Sequence, residues 1–158
     1  MIDHTASSKQ ANSVTMDKFL IFSIQEKLYT LPSRMINEVA VYDKAYPLPL
    51  LPEYVKGIIN RYSVPYALID LGLFMLKTPS ALSKVVVLKE GVDKLAFMID
   101  DVVDIVDVPL ENLLKVEQGM EHQDASTVIE ASFEWGQMDV FILSIREIIN
   151  RIKNDFVV

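Results

Sequence analysis

The sequence contains no cysteine, which excludes disulfide bonds and thiol chemistry from all 158 residues. This lack suits a reducing cytoplasm, where disulfides are rare. No apolar run reaches the roughly 20 residues that a membrane-spanning helix needs. Residues 1–15 lack the basic start and apolar stretch of a signal peptide, and we expect them to form a disordered tail. We therefore predict a cytoplasmic protein without direct membrane insertion.

Side chains suited to catalysis or metal binding are also scarce. Only two histidines occur, His4 in the N-terminal tail and His122 in a polar stretch. Glu121 and Asp124 flank His122 as a weak metal-like cluster, which we interpret as part of a solvated loop. The five glycines form none of the phosphate-binding patterns of nucleotide enzymes. The sequence thus predicts no catalytic residue, no metal and no cofactor, and it favours a binding module over an enzyme.

Basic residues are outnumbered by acidic ones, and the net charge is −7. Such a chain repels a phosphate backbone, and no basic stripe offsets the charge, so we expect no nucleic-acid partner. Between residues 100 and 108, four aspartates alternate with valine and isoleucine. Carboxylates in series can serve acid–base chemistry or bind calcium. We interpret these as outward, solvated positions, because no glycine shapes a metal loop there.

The chain does contain many short apolar runs separated by polar turns, a pattern typical of a mainly β protein. Predicted strands cover residues 19–24, 28–31, 54–60, 66–71, 85–88, 95–99, 128–133 and 140–143. Short helical turns are predicted at 33–36 and 110–114, a turn at 90–93 and a polar loop at 117–127. Ser144 and Glu147 have capping-box spacing before isoleucines at helical spacing, which predicts a C-terminal helix over about 145–153.

The two halves of the chain repeat one pattern. Residues 19–39 and 84–106 both read as strand, polar turn, strand and a third apolar segment, in which Leu28 corresponds to Leu95. We predict halves of 16–77 and 84–152 within one domain of residues 16–152, followed by a short tail at 153–158. Each half supplies about five strands, enough for a small, partly open barrel. The alternative is a single sandwich of eight to ten strands.

One segment resembles the CheW family of chemotaxis coupling proteins, which typically shows a proline, an aromatic residue, V/I-K-G-V-x-N-L-R-G and later P-V-x-D-L. The matching residues are Pro52-Glu53-Tyr54-Val55-Lys56-Gly57-Ile58-Ile59-Asn60, followed by Leu68-Ile69-Asp70-Leu71. Other parts agree in order: the hairpin 19–31, the V-x-E-I element at 36–39, the hairpin 84–106 and the final strand and helix at 141–149. The resemblance covers roughly residues 16–152 without large gaps.

The resemblance implies two similar five-stranded, SH3-like β-barrels sharing a core, with short helices and a C-terminal helix. It implies a non-enzymatic adaptor that couples chemoreceptors to the histidine kinase CheA in bacterial chemotaxis. The implied partners are the regulatory domain of the kinase, the cytoplasmic tips of receptors, and other CheW-like domains, and recruitment to membrane receptor arrays is implied as well. Two alternatives stay open: a scaffold for a non-chemotaxis kinase pathway, and a small-ligand-binding β-barrel.

The resemblance also suggests site residues by position. Ile36 and Glu38 match the receptor-facing groove, although Ile36 could equally be a core residue. Lys56, Gly57 and Asn60 match positions beside that groove or in its adjoining turn, and Gly57 could be required for backbone conformation alone. Asp70 is interpreted as a local hydrogen-bond acceptor in a turn.

The chain departs from the family pattern at Arg61-Tyr62-Ser63, where Leu-Arg-Gly is usual. The arginine that the family uses for receptor contact is therefore missing from position 62, and loss of the glycine is expected to change the turn. We predict that Tyr62 is an interface anchor, since tyrosine is enriched at binding hot spots. Arg61 carries a charge one place earlier, where strand alternation points to the opposite face.

Overall fold

The computed structural model describes residues 14–41, 44–80, 84–89, 94–116 and 127–156. The strands within these ranges are β1 Met16–Ile24, β2 Lys27–Pro32, β3 Ile36–Val41, β4 Val55–Arg61, β5 Val64–Asp70, β6 Lys84–Leu88, β7 Leu95–Ile99, β8 Asp101–Pro109, β9 Leu114–Lys115, β10 Ile129–Trp135 and β11 Met138–Leu143. The helices are α1 Leu71–Leu76 and α2 Ile145–Phe156, with single 3-10 turns at Ser33–Met35 and Leu110–Asn112. The mainly β prediction is confirmed.

Several predicted boundaries need correction. Helix α2 continues to Phe156. Residues 153–156, which we expected to belong to a C-terminal tail, are therefore helical. The helical segment predicted over 110–114 is only a 3-10 turn, and Leu114 already belongs to strand β9. The predicted turn at 90–93, nearly all of the loop at 117–127, and both histidines lie outside the described residues, as does the tail up to residue 13.

The strands form two mixed sheets. The first sheet has the order β8-β1-β2-β11-β10-β9, and the second sheet has the order β3-β6-β7-β5-β4. Each sheet contains one parallel pair among its described strands, β2 with β11 in the first and β7 with β5 in the second. In these pairs Leu28 lies opposite Val140, and Leu95 lies opposite Ala67. The correspondence between Leu28 and Leu95 in the sequence repeat is therefore a correspondence in space, which confirms the repeat.

The sheets do not follow the two halves of the sequence. The hairpin β1–β2, from the first half, lies in one sheet with strands β8 to β11 of the second half. The hairpin β6–β7, from the second half, lies in the other sheet with strands β3 to β5 of the first half. Each sheet thus takes strands from both sides of residues 78–83. The first sheet has a sixth strand, β9, and its counterpart in the second sheet is an isolated bridge between Tyr46 and Ile58. The described residues thus contain eleven strands in two sheets that are related by the repeat.

A shared hydrophobic core lies between the sheets. Its buried side chains come from both sheets and both helices. Phe22, Tyr29, Phe74 and Phe97 are among the largest, and α2 contributes the fully buried Ile148. A smaller cluster lies in each sheet. Burying a side chain of this size contributes roughly 1.5–3 kcal/mol. The shared core therefore stabilises the arrangement in which each sheet takes a hairpin from the other half of the chain. None of the helices in the described ranges is both long and apolar enough to cross a bilayer.

Helix α2 contacts α1 and residues that precede strands β4 and β10. Ser144 Oγ accepts a hydrogen bond from the Glu147 amide at 3.2 Å, which caps the helix as the sequence predicts. The Arg151 guanidinium lies 4.7 Å from the Phe74 ring centroid and donates to Thr127 Oγ1 at 3.2 Å. Near the other end, the Tyr54 hydroxyl donates to an Asp155 carboxylate oxygen.

Candidate protein-docking surface

An ion pair joins the two edge strands of the second sheet. Glu38 on β3 and Arg61 at the end of β4 are paired through Oε1 and Nη2, with 21% and 33% of their side chains exposed. The sequence argument that Arg61 points to the opposite face from position 62 fails for a simple reason. Position 62 is not in the strand but is the first residue of a turn, so the two positions do not alternate across one sheet.

Tyr62 is presented at the tip of the β4–β5 hairpin. Its side chain is 81% exposed, and the Arg61 guanidinium lies 5.6 Å from its ring centroid. Tyr62 and Ser63 have φ angles of 52° and 67°, as the central residues of a type I′ hairpin turn require. Ser63 therefore takes part in a tight two-residue turn at the position where the family has glycine.

A shallow recess separates β3 from β4 beside this hairpin. Val41 and Lys44 line it from one side, and Asn60 and Arg61 line it from the other. We define the docking surface as Glu38, Val41, Lys44, Asn60, Arg61 and Tyr62. It combines an exposed valine and tyrosine with charged and amide groups, and tyrosine and arginine are the residues most enriched at binding hot spots. The arrangement suits a protein partner.

Gly57 shapes this surface without being exposed on it. Its φ is +132°, and an added Cβ would lie only 2.3 Å from the Tyr46 carbonyl oxygen. Tyr46 pairs with Ile58 through backbone hydrogen bonds of 2.8 and 2.9 Å, so the glycine allows the segment after β3 to lie against β4. The half-buried Lys56 occupies the bulge between Val55 and Gly57.

Ile36 and Asp70 lie apart from the docking surface. Ile36 starts β3 and packs, partly buried, against the shared core. Asp70 is buried at the end of β5, where it accepts from the Leu73 amide at 3.2 Å and from the Ser80 hydroxyl at 2.7 Å. Asp70 therefore caps α1 and fixes the following chain, and of the predicted site residues only Glu38, Asn60 and Tyr62 are brought together.

Replacing Asp70 with alanine is expected to lower the free energy of unfolding by about 2–3 kcal/mol, because charge-assisted bonds from partly buried donors to this buried carboxylate are lost. Asp104→Ala is the matched control, since Asp104 is exposed and accepts from its neighbour's amide. That control should cost less than about 0.5 kcal/mol. Urea denaturation measures both, and equal losses would contradict a structural role for Asp70.

Exposed apolar residues on β8, an edge strand of the first sheet, were not predicted from the sequence. Val103 and Ile105 are both exposed, as are the aspartates between and beside them. A bulge explains the break in alternation, because Phe22 pairs with Val102 whereas the preceding Ile21 pairs with Asp104. The irregular alternation of 101–108 was the available signal. Within the ranges that the structure describes, no three acidic or histidine side chains converge as metal ligands.

Two similar sheets around one core, with an aromatic and charged surface displayed on an edge, define a β-rich protein-interaction module. The chain belongs to the CheW-like domain family, whose profile matches residues 18–153. This confirms the family predicted from the sequence motifs.

Two individual proteins, one matched by sequence and one by structure, are similar to this chain. The chain is 25% identical over 109 residues to the chemotaxis protein CheW of Klebsiella aerogenes, and the alignment covers 67% of this chain. It spans 66% of that relative, slightly less than two thirds of its length. The crystal structure of the scaffolding protein TtCheW from Thermoanaerobacter tengcongensis superposes with a TM-score of 0.73 at 20% identity, covering 82% of this chain and 90% of that chain. The structural match shows that this chain and TtCheW share a fold.

Proposed function

We propose that this protein is a non-enzymatic adaptor that couples chemoreceptors to a CheA-type histidine kinase. The observation that carries the proposal is the docking surface, where Tyr62 is exposed beside Arg61, which is itself paired to Glu38. Family membership supports it, since one relative is a chemotaxis protein and another is a scaffolding protein. We further propose that each sheet curls into an SH3-like barrel and that the protein is recruited from the cytoplasm to receptor arrays.

We assign the docking surface to the receptor tip. Glu38 and Asn60 match family positions at or beside the receptor groove, and Tyr62 takes the place of the family arginine. A tyrosine anchor offers a large contact area with little loss of side-chain entropy. The Arg61 guanidinium lies 5.6 Å from its ring centroid. The kinase regulatory domain is itself CheW-like in this family, so we propose that it pairs with an end of one of the two sheets.

Such an adaptor acts by geometry. It holds receptor and kinase in one assembly, so that a change in the receptor biases the kinase through linked interfaces. A rigid module suits this role, because a flexible one would lose coupling energy to its own rearrangement. We expect rigidity here from the core that both sheets share and from α2, which contacts groups preceding β4 and β10.

Isothermal titration calorimetry tests the proposal. The protein is titrated against the regulatory domain of the CheA-type kinase from the same organism, then against a receptor-tip fragment. We expect binding in the micromolar range or tighter, roughly −8 kcal/mol. Binding to another kinase but to no receptor tip would point to a non-chemotaxis scaffold. Failure to bind either partner, with a thermal shift on adding a metabolite, would favour the small-ligand barrel.

A further inference from the structure

The docking surface carries one positive charge that the described part of the chain does not compensate. Glu38 and Arg61 are paired with each other, so their charges cancel. Lys44 is exposed on the same surface and forms no ion pair with any described residue. The surface is therefore locally positive, although the chain as a whole has a net charge of −7.

Lys44 lines the recess between β3 and β4, opposite Asn60 and Arg61. The recess has a volume of about 60 Å³. Sites for small molecules usually enclose roughly 300–1,000 Å³. The recess is therefore too small for a metabolite, but it is large enough for a group of a few atoms at the end of a side chain.

The Arg61 guanidinium has a hydrogen-bond donor left at this recess. Its Nη2 is used by Glu38, whereas its Nε is buried and has no acceptor among the described residues. A buried N–H without an acceptor costs about 1–3 kcal/mol. Lysine and arginine side chains donate hydrogen bonds and cannot accept them. The group that completes this recess must therefore be an acceptor, and the charge of Lys44 favours a negative one.

We propose that the recess receives a carboxylate side chain of the protein partner and that Lys44 selects it. The carboxylate accepts from Lys44 and offers Arg61 an acceptor, and hydrogen bonds between charged groups are about twice as strong as neutral ones. Val41, which is 69% exposed, contacts the apolar stem of the same side chain. A partner with a basic group at this point is rejected by Lys44.

This inference rests on the proposed function, in which the partner at the docking surface is the chemoreceptor tip. It adds the chemistry of one contact: a glutamate or aspartate of the tip lies against Lys44. Tyr62 remains the anchor of the surface, and Lys44 determines which receptor tips fit beside it.

Calorimetry with the receptor-tip fragment tests the role of Lys44 in the full chain. We expect Lys44→Glu to bind at least tenfold more weakly than the parent and Lys44→Arg to stay within about threefold. The matched control is Lys27→Glu, which makes the same change of net charge at an exposed position outside the docking surface and should stay within about twofold. If Lys44→Glu binds like this control, the inference is wrong.

Charge exchange identifies the carboxylate. Each acidic residue of the receptor fragment is replaced in turn by lysine, and each variant is titrated against the parent and against Lys44→Glu. One replacement should weaken binding of the parent at least tenfold and should bind Lys44→Glu at least fivefold more tightly than it binds the parent. If the parent binds the tip and no position behaves in this way, the inference fails alone. If the parent does not bind the tip, the proposed function fails, and this inference fails with it.

Discussion

Replacing Gly57 with alanine is expected to lower the free energy of unfolding by about 3 kcal/mol. The φ of +132° lies in a region that side chains other than glycine rarely adopt. The new methyl group would also lie 2.3 Å from the Tyr46 carbonyl oxygen and 2.7 Å from its carbon. Both are backbone atoms of the bridge to Ile58, so relief requires the two hydrogen bonds of that bridge to break.

Gly136→Ala is the comparison variant that lacks a close approach. Gly136 also has a positive φ, 64°, but an added Cβ there meets no atom within 4 Å. It should therefore cost only about 1 kcal/mol, the cost of the left-handed conformation alone. Urea denaturation of both variants measures the difference. Equal losses would mean that the close approach of Tyr46 does not constrain residue 57.

Replacing Tyr62 with alanine is expected to weaken receptor-tip binding by at least tenfold while leaving stability within about 0.5 kcal/mol of the parent. The side chain is 81% exposed, so its removal leaves no cavity in the folded protein. The Arg61 guanidinium lies 5.6 Å from its ring centroid, so a cation and an aromatic ring are displayed together at the hairpin tip. Tyr62→Ala should therefore lower affinity without lowering stability, whereas Gly57→Ala should lower the free energy of unfolding.

Phe156→Ala is the matched control for Tyr62. Phe156 is an exposed aromatic residue in the last turn of α2, outside the docking surface, and its removal should leave receptor-tip affinity unchanged. Calorimetry with the same receptor fragment measures both variants. Should Tyr62→Ala bind the receptor fragment as tightly as the parent, tyrosine is not the anchor.

The hairpins could be predicted from the sequence because a polar turn between two apolar runs is a local signal. Gln25 and Glu26 illustrate this, since they form a two-residue turn between paired strands. The exchange of hairpins between halves could not be predicted in the same way. Alternation specifies which face of a strand is buried, but it does not specify its neighbour, and the parallel pairs β2–β11 and β5–β7 join segments distant in sequence.

The candidate site shows the same limit. Motif positions predicted Glu38 and Tyr62, but the contact between Glu38 and Arg61 depends on where β4 ends and its turn begins. A shift of one residue at that boundary decides whether Arg61 faces its partner.

Co-sedimentation tests the central claim of an adaptor most directly. Receptor tips carried on vesicles are mixed with the CheA-type kinase, with and without this protein, and the kinase in the pellet is measured. We predict that the kinase sediments with receptors when the parent protein is present and falls to background with Tyr62→Ala, whereas Phe156→Ala behaves as the parent. Kinase recovery that does not depend on this protein would contradict the account.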